Sequence, residues 1–352
     1  MANDEQMMFP SIVEDEASIP KQEIVVRGEQ RDVYKRNYKD LFWQFIYERH
    51  MIWYKRFVLK LPAPWTADQI LLEYKFTNMY RELDKGTLYL LDYIIGPVEK
   101  LGQPSSQIFN TIMYRVFNRI DAWEAIRHLT AGRDDKAYRG APEMPWHRQQ
   151  MVNILRHRQD VLNLPIYTDA HMVCAYNGTP GHDKLARIEN IFNAMEKDHL
   201  DSFVRLVNSA KSLQPIWQAL KDMHGLGPFL AYEIAVDISY APWNNLSENE
   251  WVNPGPGCQI GINILYPETK PKDCSRKIFE LRGMQQDEFK RLGLPFADIA
   301  YKGRWLTLRN VEHNLCEFQK YVKALDKTGR PRNRFRPVSW PGQPIFDRLR
   351  GE

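Results

Sequence analysis

The chain has 352 residues, 43% hydrophobic and 26% charged, the proportions of a globular protein with a real core, in one large helical domain or two to three smaller ones. A formal net charge of +4, from 48 basic and 44 acidic residues, is too small to announce nucleic-acid binding by itself. Aromatic residues make up 12%, with 10 Trp and 17 Tyr, and serve equally well as core or as flat surfaces on which bases stack.

Residues 1–30 read as a loose acidic arm, with five acids and no base in the first twenty. From Arg31 the apolar spacing is helical through Leu59. "LPAPWTADQI" stops that helix, and Thr66 with Asp68 can cap the next, which is expected to run on through "YKFTNMYRELDKGT", 74–87. Further helices are expected over 87–95, 105–119, 121–130, 144–162, 184–196, 199–209, 211–222 and 228–240. Residues 241–274, rich in Pro, Gly and Asn, should be irregular, since Pro and Gly there forbid a long helix. Helices return at 275–292 and 305–325, and only 164–176 looks strand-like. The expected fold is mostly α, its body spanning 31–325 in an N-terminal part (31–162) and a hairpin-containing part (163–325). A basic tail, 326–352, holds seven basic and three acidic residues, leaving 41 of each elsewhere. It can neutralise phosphates or simply keep the protein soluble.

No signal peptide opens the chain, and "LYLLDYIIG", the nearest approach to a membrane span, is interrupted by Asp92. The cysteines at 174, 258, 274 and 316 have no C-x-x-C pairing and no metal-ligand spacing with His. They read as reduced thiols in a soluble cytoplasmic protein without a membrane partner, and no metal site is expected from the sequence.

Four stretches carry candidate chemistry. In 74–87, Tyr74, Phe76, Met79, Tyr80 and Leu83 make an apolar ladder, while Thr77, Asn78, Arg81, Asp84 and Lys85 form a mixed stripe with Glu82 at its edge. That stripe is either a solvated face or a site. In "LKDMHGLGPFLAYEIAVDISY", 220–240, Gly225 and Gly227 turn the chain before a helix opened by Pro228. This is either a tight turn between core helices or a helix–hairpin–helix, whose backbone N–H groups would hold a DNA phosphate without reading sequence. Asp237 lies ten residues after Gly227, with Glu233 one turn before it, near where a glycosylase of that class keeps its carboxylate. No Lys occurs in 228–240 to form a Schiff base. Gly255, Gly257 and Gly261 in "WVNPGPGCQIGINI" allow close backbone approach but lack a G-x-G-x-x-G spacing, and no G-x-x-x-x-G-K-[ST] occurs, so no Walker-type kinase site is expected. In "KGRWLTLRNVEHNLCEFQKY", Glu312, His313, Glu317 and Lys320 share a helix whose other side is apolar; His313 is either a structural hydrogen-bonding group or a base.

Taken in order, "FTNMYRELDKGT", "YRVFNRIDAWEAI" (114–126), "GLGPFLAYEIAVDISY", "NPGPGCQIGIN" and "VEHNLCEFQKY" resemble the α-glutamyl/putrescinyl-thymine pyrophosphorylase group, which includes amino acid:DNA transferases of bacteriophages. The helical domain named after 5-hydroxymethyl-deoxyuridine DNA kinases is related to it. The resemblance covers about 31–325. It implies thymidine hypermodification in viral DNA: a separate kinase pathway supplies a pyrophosphorylated 5-hydroxymethyl-uracil in double-stranded DNA, and an amino acid or polyamine displaces the pyrophosphate. It also implies kinship with helix–hairpin–helix glycosylases, although "MHGLGP" departs from their usual turn.

On this reading Arg81, Glu82, Asp84 and Asp237 are the expected catalytic set, with Arg81 on phosphate or carboxylate and one of the acids as base. Asn78, Tyr80, Arg115, Arg304 and His313 are expected to contact substrate, and Gly225 and Gly227 the DNA backbone. Whether Mg²⁺ escorts the pyrophosphate is open. A base-excising glycosylase using Asp237, and a non-catalytic DNA-binding module, are the alternatives.

Overall fold

A computed structural model describes residues 37–96, 104–131, 145–168, 185, 188, 191, 195, 197–223 and 225–335. The acidic arm, the end of the basic tail, most of 184–196, residues 169–176 and His224 lie outside the described residues. Those described are mostly helical and contain no strand, only isolated bridges at Tyr74–Arg334 and Ser212–Ser247. Residues 164–168 of the strand-like stretch are not a strand.

The first helix, α1 (Tyr38–Trp53), starts where the Asn37 side chain accepts from the Lys39 and Asp40 N–H groups. It buries Phe42, Trp43, Phe45 and Ile46 and widens into a π turn, Tyr54–Val58. Asp68 caps α2 (Gln69–Glu73), accepting from Ile70 and Leu71 at 2.8 and 3.0 Å.

Here the structure departs from expectation. α2 ends at Glu73, and the chain runs on to a single 3₁₀ turn, Arg81–Leu83. Backbone donors that a helix would have used find partners elsewhere. Lys75 N–H reaches the Asn333 carbonyl at 2.9 Å, Thr77 N–H the Glu317 carboxylate at 3.2 Å, and Asn78 N–H that of Asp84 at 3.0 Å. Phe76, Met79, Tyr80 and Leu83 are still buried, so the apolar ladder is real although the helix is not. Arg81 and Glu82 are buried too, which corrects the solvated-face reading at those two positions.

After α3 (Lys85–Leu90, continued as a π turn to Ile95) come α4 (Pro104–Phe117), α5 (Ile120–Ala131), α6 (Pro145–Asp160), α7 (Lys197–Ser209), α8 (Leu213–Asp222) and α9 (Pro228–Ser239). They share one apolar core, with Tyr89, Phe109, Ile112, Trp123, Leu155, Ile216 and Ile234 among its members. A second core joins α1 and the 76–83 segment to the C-terminal helices, through Phe42, Trp43, Met79, Ile262, Ile278, Phe289 and Phe318. Helix α9 serves both: Leu230, Ile234 and Ile238 face the first core, Tyr232 and Val236 the second.

Residues 241–274 are not wholly irregular. Gly255 caps and Pro256 opens a helix, α10 (Pro256–Leu265), because a proline in the first turn lacks only an N–H that would be unused there. α10 packs on α13 (Leu308–Leu325), which follows α11 (Cys274–Arg291) and α12 (Phe296–Ile299). A Cβ on Gly261 would lie 2.3 Å from the Leu315 carbonyl oxygen, and one on Gly257 2.5 Å from Cys316 Sγ. These glycines admit a neighbouring helix, not a phosphate. Thr307 and Asn310 form a reciprocal capping box at the start of α13.

Candidate functional site

Helix α9 is apolar around nearly its whole circumference, as a helix between two cores must be. Glu233 and Asp237, one turn apart, are the exceptions, and both are buried. Leaving two carboxylates unpaired there would cost several kcal/mol each, so the fold must bring cations to them.

Asp237, with 0% exposure, is held bidentately by Arg115 of α4, Nη2 to Oδ1 at 2.8 Å and Nε to Oδ2. Arg115 also donates to Asn118 Oδ1 at 2.7 Å. Glu233 is gripped from two sides: Arg81 Nη2 reaches Oε2 at 3.1 Å and Arg309 Nη2 reaches Oε1 at 2.5 Å. Arg81 further donates to Asp84 at 3.3 Å and to the Thr87 hydroxyl. Thr87 also lies 3.5 Å from Arg115 Nη2, which makes the two ion pairs one network. Arg309 continues it to Glu312, which accepts the Gly255 N–H at 3.2 Å. Burial pushes the carboxyls of Asp237, Asp84 and Glu312 upward, against the pull of Arg115, Arg81 and Arg309 respectively.

Asn78 is fixed by its amide on the Leu83 carbonyl at 2.7 Å, and it accepts from Arg49 at 3.3 Å. His313 Nε2 meets the Thr77 hydroxyl at 2.6 Å. Burial, then Arg309 and Arg81, hold that imidazole well below its usual range, so it is neutral near pH 7. Glu317 joins the Thr77 N–H to Lys320, 2.5 Å away.

A second cluster sits at the start of α13. Arg304, its side chain 49% exposed, pairs through Nη2 with Glu82 Oε1 at 2.6 Å, and the Arg304 carbonyl accepts from Tyr80 at 2.5 Å. Glu248 is hydrogen-bonded by Thr307 and is pushed up to about 7, by burial first and the charge of Glu82 second, with Arg309 and Arg304 opposing.

The structure thus brings Arg81, Asp84, Arg115 and Asp237 together, with Asn78 alongside, and sets Glu82, Tyr80 and Arg304 in the neighbouring cluster. His313 stands on α13, four residues after Arg309. Arg81 is not placed as a free phosphate ligand, since all three of its nitrogens donate to protein acceptors. Gly225 and Gly227 stand apart, ten residues of helix placing Asp237 about 15 Å from Gly227. Gly225 has φ +96°, which favours glycine, and Gly227 is the N-cap of α9, where an added Cβ would meet nothing within 4 Å. Phe229, one residue into that helix, is exposed.

Sequence reasoning missed Arg309, Arg49, Glu248 and Tyr240. The legible signal was Glu233 and Asp237 on an otherwise apolar helix, which requires arginines from elsewhere. Among the described residues no group of three His, Cys, Asp or Glu could hold a metal ion, and no helix is long and apolar enough to cross a membrane.

Residues 36–330 match the family model described as 5-hmdU DNA kinase, helical domain. The chain belongs to this 5-hmdU DNA kinase helical-domain family. A protein of Bacillus phage SP10 named 5-hmdU DNA kinase is 27% identical over 297 residues, which cover 80% of this chain and 44% of the phage protein. The chain therefore spans less than half the length of that relative. No solved structure matches it. Of the two groups in the resemblance above, the kinase helical domain is the one these matches support.

Proposed function

We propose that this chain acts in the modification of phage DNA, as a transferase that replaces the pyrophosphate of 5-pyrophosphoryloxymethyl-uracil with an amine. The amine is an amino acid or polyamine, the DNA is double-stranded, and a kinase pathway prepares it. The family match supports the hydroxymethyl-uracil context; the transfer step is our reading of the site. The observation that carries it is the charge cluster between two apolar cores. Buried ion pairs are weak contributors to stability, so a network of Arg81, Arg115, Arg309, Glu233 and Asp237 is better explained as a frame for chemistry.

In the reaction the C–O bond at the exocyclic methylene breaks, its electron pair leaving with pyrophosphate. The amine nitrogen bonds to that carbon and loses a proton to a carboxylate. Arg304, half exposed, is the cation best placed to meet the leaving group. Glu82 beside it, or Glu248, takes the proton. Arg81, Asp84, Arg115 and Asp237 hold the frame, Asn78 and Tyr80 shape the wall toward the base, and His313 acts through Thr77. Exclusion of water favours transfer over hydrolysis. Gly225 and Gly227 present backbone N–H groups to a DNA phosphate beside exposed Phe229.

The test is mass spectrometry of nucleosides from pyrophosphorylated 5-hydroxymethyl-uracil DNA incubated with the protein and a panel of amines. An amine adduct on the thymidine analogue is expected. Abasic sites would indicate a glycosylase, and unchanged DNA a binding module; either overturns the reading.

A further inference from the structure

Five arginines are buried among the described residues: Arg49, Arg81, Arg115, Arg158 and Arg309. Four of them meet a carboxylate, Arg81 and Arg309 on Glu233, Arg115 on Asp237 and Arg158 on Asp121. Arg49 of α1 is the exception. It is 7% exposed, yet it forms no ion pair among the described residues. Its Nη2 donates to the Phe76 carbonyl at 2.8 Å and to Asn78 Oδ1 at 3.3 Å. Nε and Nη1 have no protein acceptor there, and neither is sealed from solvent. Burial is the strongest influence on this guanidinium and pulls it down to about 10; Asp84 opposes, Arg56 adds to the fall and Glu317 opposes. A buried cation without a counter-charge is costly, and a bound anion supplies one.

The surroundings narrow the choice of anion. Asn78, half-buried, links Arg49 to Asp84: its Oδ1 accepts from Arg49, and its Nδ2 and backbone N–H reach Asp84 Oδ1 at 3.4 and 3.0 Å. Next to it Thr77, also half-buried, meets the neutral His313. The other charges around Arg49 are accounted for. Asp84 pairs with Arg81, Glu317 pairs with Lys320, and Arg56 lies over the Trp65 ring at 4.7 Å. One buried positive charge is left over. It matches a single carboxylate, which takes charge-assisted N–H bonds from a guanidinium. Pyrophosphate brings several negative charges to a place with one spare cation, and a polyamine adds to the surplus. We propose that Arg49 receives the carboxylate of a free amino acid, with Asn78 and Asp84 on the ammonium side, so that the amine substrate is an amino acid and not a polyamine. Asp84 stands two residues from Glu82, which keeps the ammonium on the segment that carries a proton acceptor. As the subsite of the incoming amine this rests on the transfer reading; as a carboxylate site it is testable without DNA.

The experiment is isothermal titration of the full chain with a panel of amino acids, with the corresponding amino-acid amides, and with putrescine and inorganic pyrophosphate. An amide keeps the ammonium and the side chain but loses the carboxylate charge. At least one amino acid should bind saturably, and its amide should bind about tenfold more weakly or worse. Arg49→Gln, which keeps a donor for the Phe76 carbonyl, should bring acid and amide level. Arg49→Lys, which keeps the charge, should retain a preference for the acid. A merely structural Arg49 would shift the thermal midpoint without moving that ratio. No amino acid bound, equal binding of acid and amide by wild type, or an unchanged ratio in Arg49→Gln overturns the site. Should Arg49→Gln fail to fold, the wild-type ratio and Arg49→Lys decide. Pyrophosphate binding that is lost in Arg49→Gln assigns the guanidinium to phosphate and also overturns it. If acids bind in preference to amides and no adduct forms on DNA, the site stands and the transfer reading falls. If putrescine and amino-acid amides form adducts as readily as amino acids, the transfer reading stands and the site falls.

Discussion

Arg81 and Arg304 are both arginines paired with acids, yet their surroundings give them opposite roles. Arg81 is buried and joins Glu233, Asp84 and Thr87. Its removal takes the cation from Asp84 and leaves Glu233 with Arg309 alone, and breaking a buried pair in this way costs about 3–5 kcal/mol. Arg304 is half exposed and, among the described carboxylates, pairs with Glu82, which is itself buried, so its loss leaves one interior carboxylate unpaired. Arg304→Ala is therefore expected to lose transfer at a smaller cost in stability than Arg81→Ala, which should be visibly destabilised in a denaturant titration. Wild-type stability in Arg81→Ala would refute the frame. Glu248 allows a pH test. Its folded-state pKa, about 7, lies above the ordinary 4.5, with burial and Glu82 raising it and Arg309, Thr307 and Arg304 opposing. A carboxyl raised on folding stabilises most below its unfolded pKa, and that contribution fades as pH climbs through the folded value. Glu248→Gln, a permanent mimic of the protonated form, should match wild type near pH 4.5 and gain on it by a few kcal/mol by pH 8. A calorimetric difference that is the same at both pH values would sink this.

At the level of elements, the punctuation that sequence carries best is local. Gly227-Pro228 marks the start of α9, and Asp68 the start of α2, because caps are read within three or four residues. The 74–83 stretch escaped because two of its backbone partners, Asn333 and Glu317, are tertiary and the third, Asp84, is a side chain, while Phe76, Met79, Tyr80 and Leu83 keep a helix-like spacing. The same distance problem hid part of the site. Arg81, Asp84 and Asp237 could be named from their own segments, but nothing local to Arg309 or Glu248 announces that each faces another element's carboxylate. α10 was missed for a different reason: its glycines, read as helix breakers, are what lets it touch α13. Gly261→Ala should cost about 1–3 kcal/mol, since the obstacle is the Leu315 backbone. Gly227→Ala meets nothing within 4 Å at a φ of −91° and should leave stability unchanged. If that backbone approaches a DNA phosphate, the same substitution weakens duplex binding in a fluorescence-anisotropy titration. Unaltered binding by Gly227→Ala would remove the turn from the DNA interface.

Across the whole molecule, the charge imbalance gathers at the C-terminus, where residues 326–352 hold the entire basic surplus. Arg334 pairs with Glu73 and lies over the Tyr74 ring at 4.8 Å, and the Phe335 N–H reaches the Glu73 carbonyl at 2.8 Å. Phe335 also meets the edge of Trp65 at 6.3 Å. Residues 327–335 thus hold the end of α2 in place, and a deletion from 327 would confound loss of charge with loss of packing. Removing 336–352 takes away Arg336, Arg348 and Arg350 and leaves that packing intact. If the three arginines neutralise DNA phosphates, affinity falls and the slope of log K against log salt drops by up to about 0.9 for each phosphate no longer neutralised, at an unchanged thermal midpoint. Transfer to DNA already bound should persist, because Glu82, Glu248 and Arg304 belong to the folded body. Deleting 327–352 should lower the midpoint as well. Identical binding of the 336–352 deletion across a salt series would show that these arginines play no part in holding DNA.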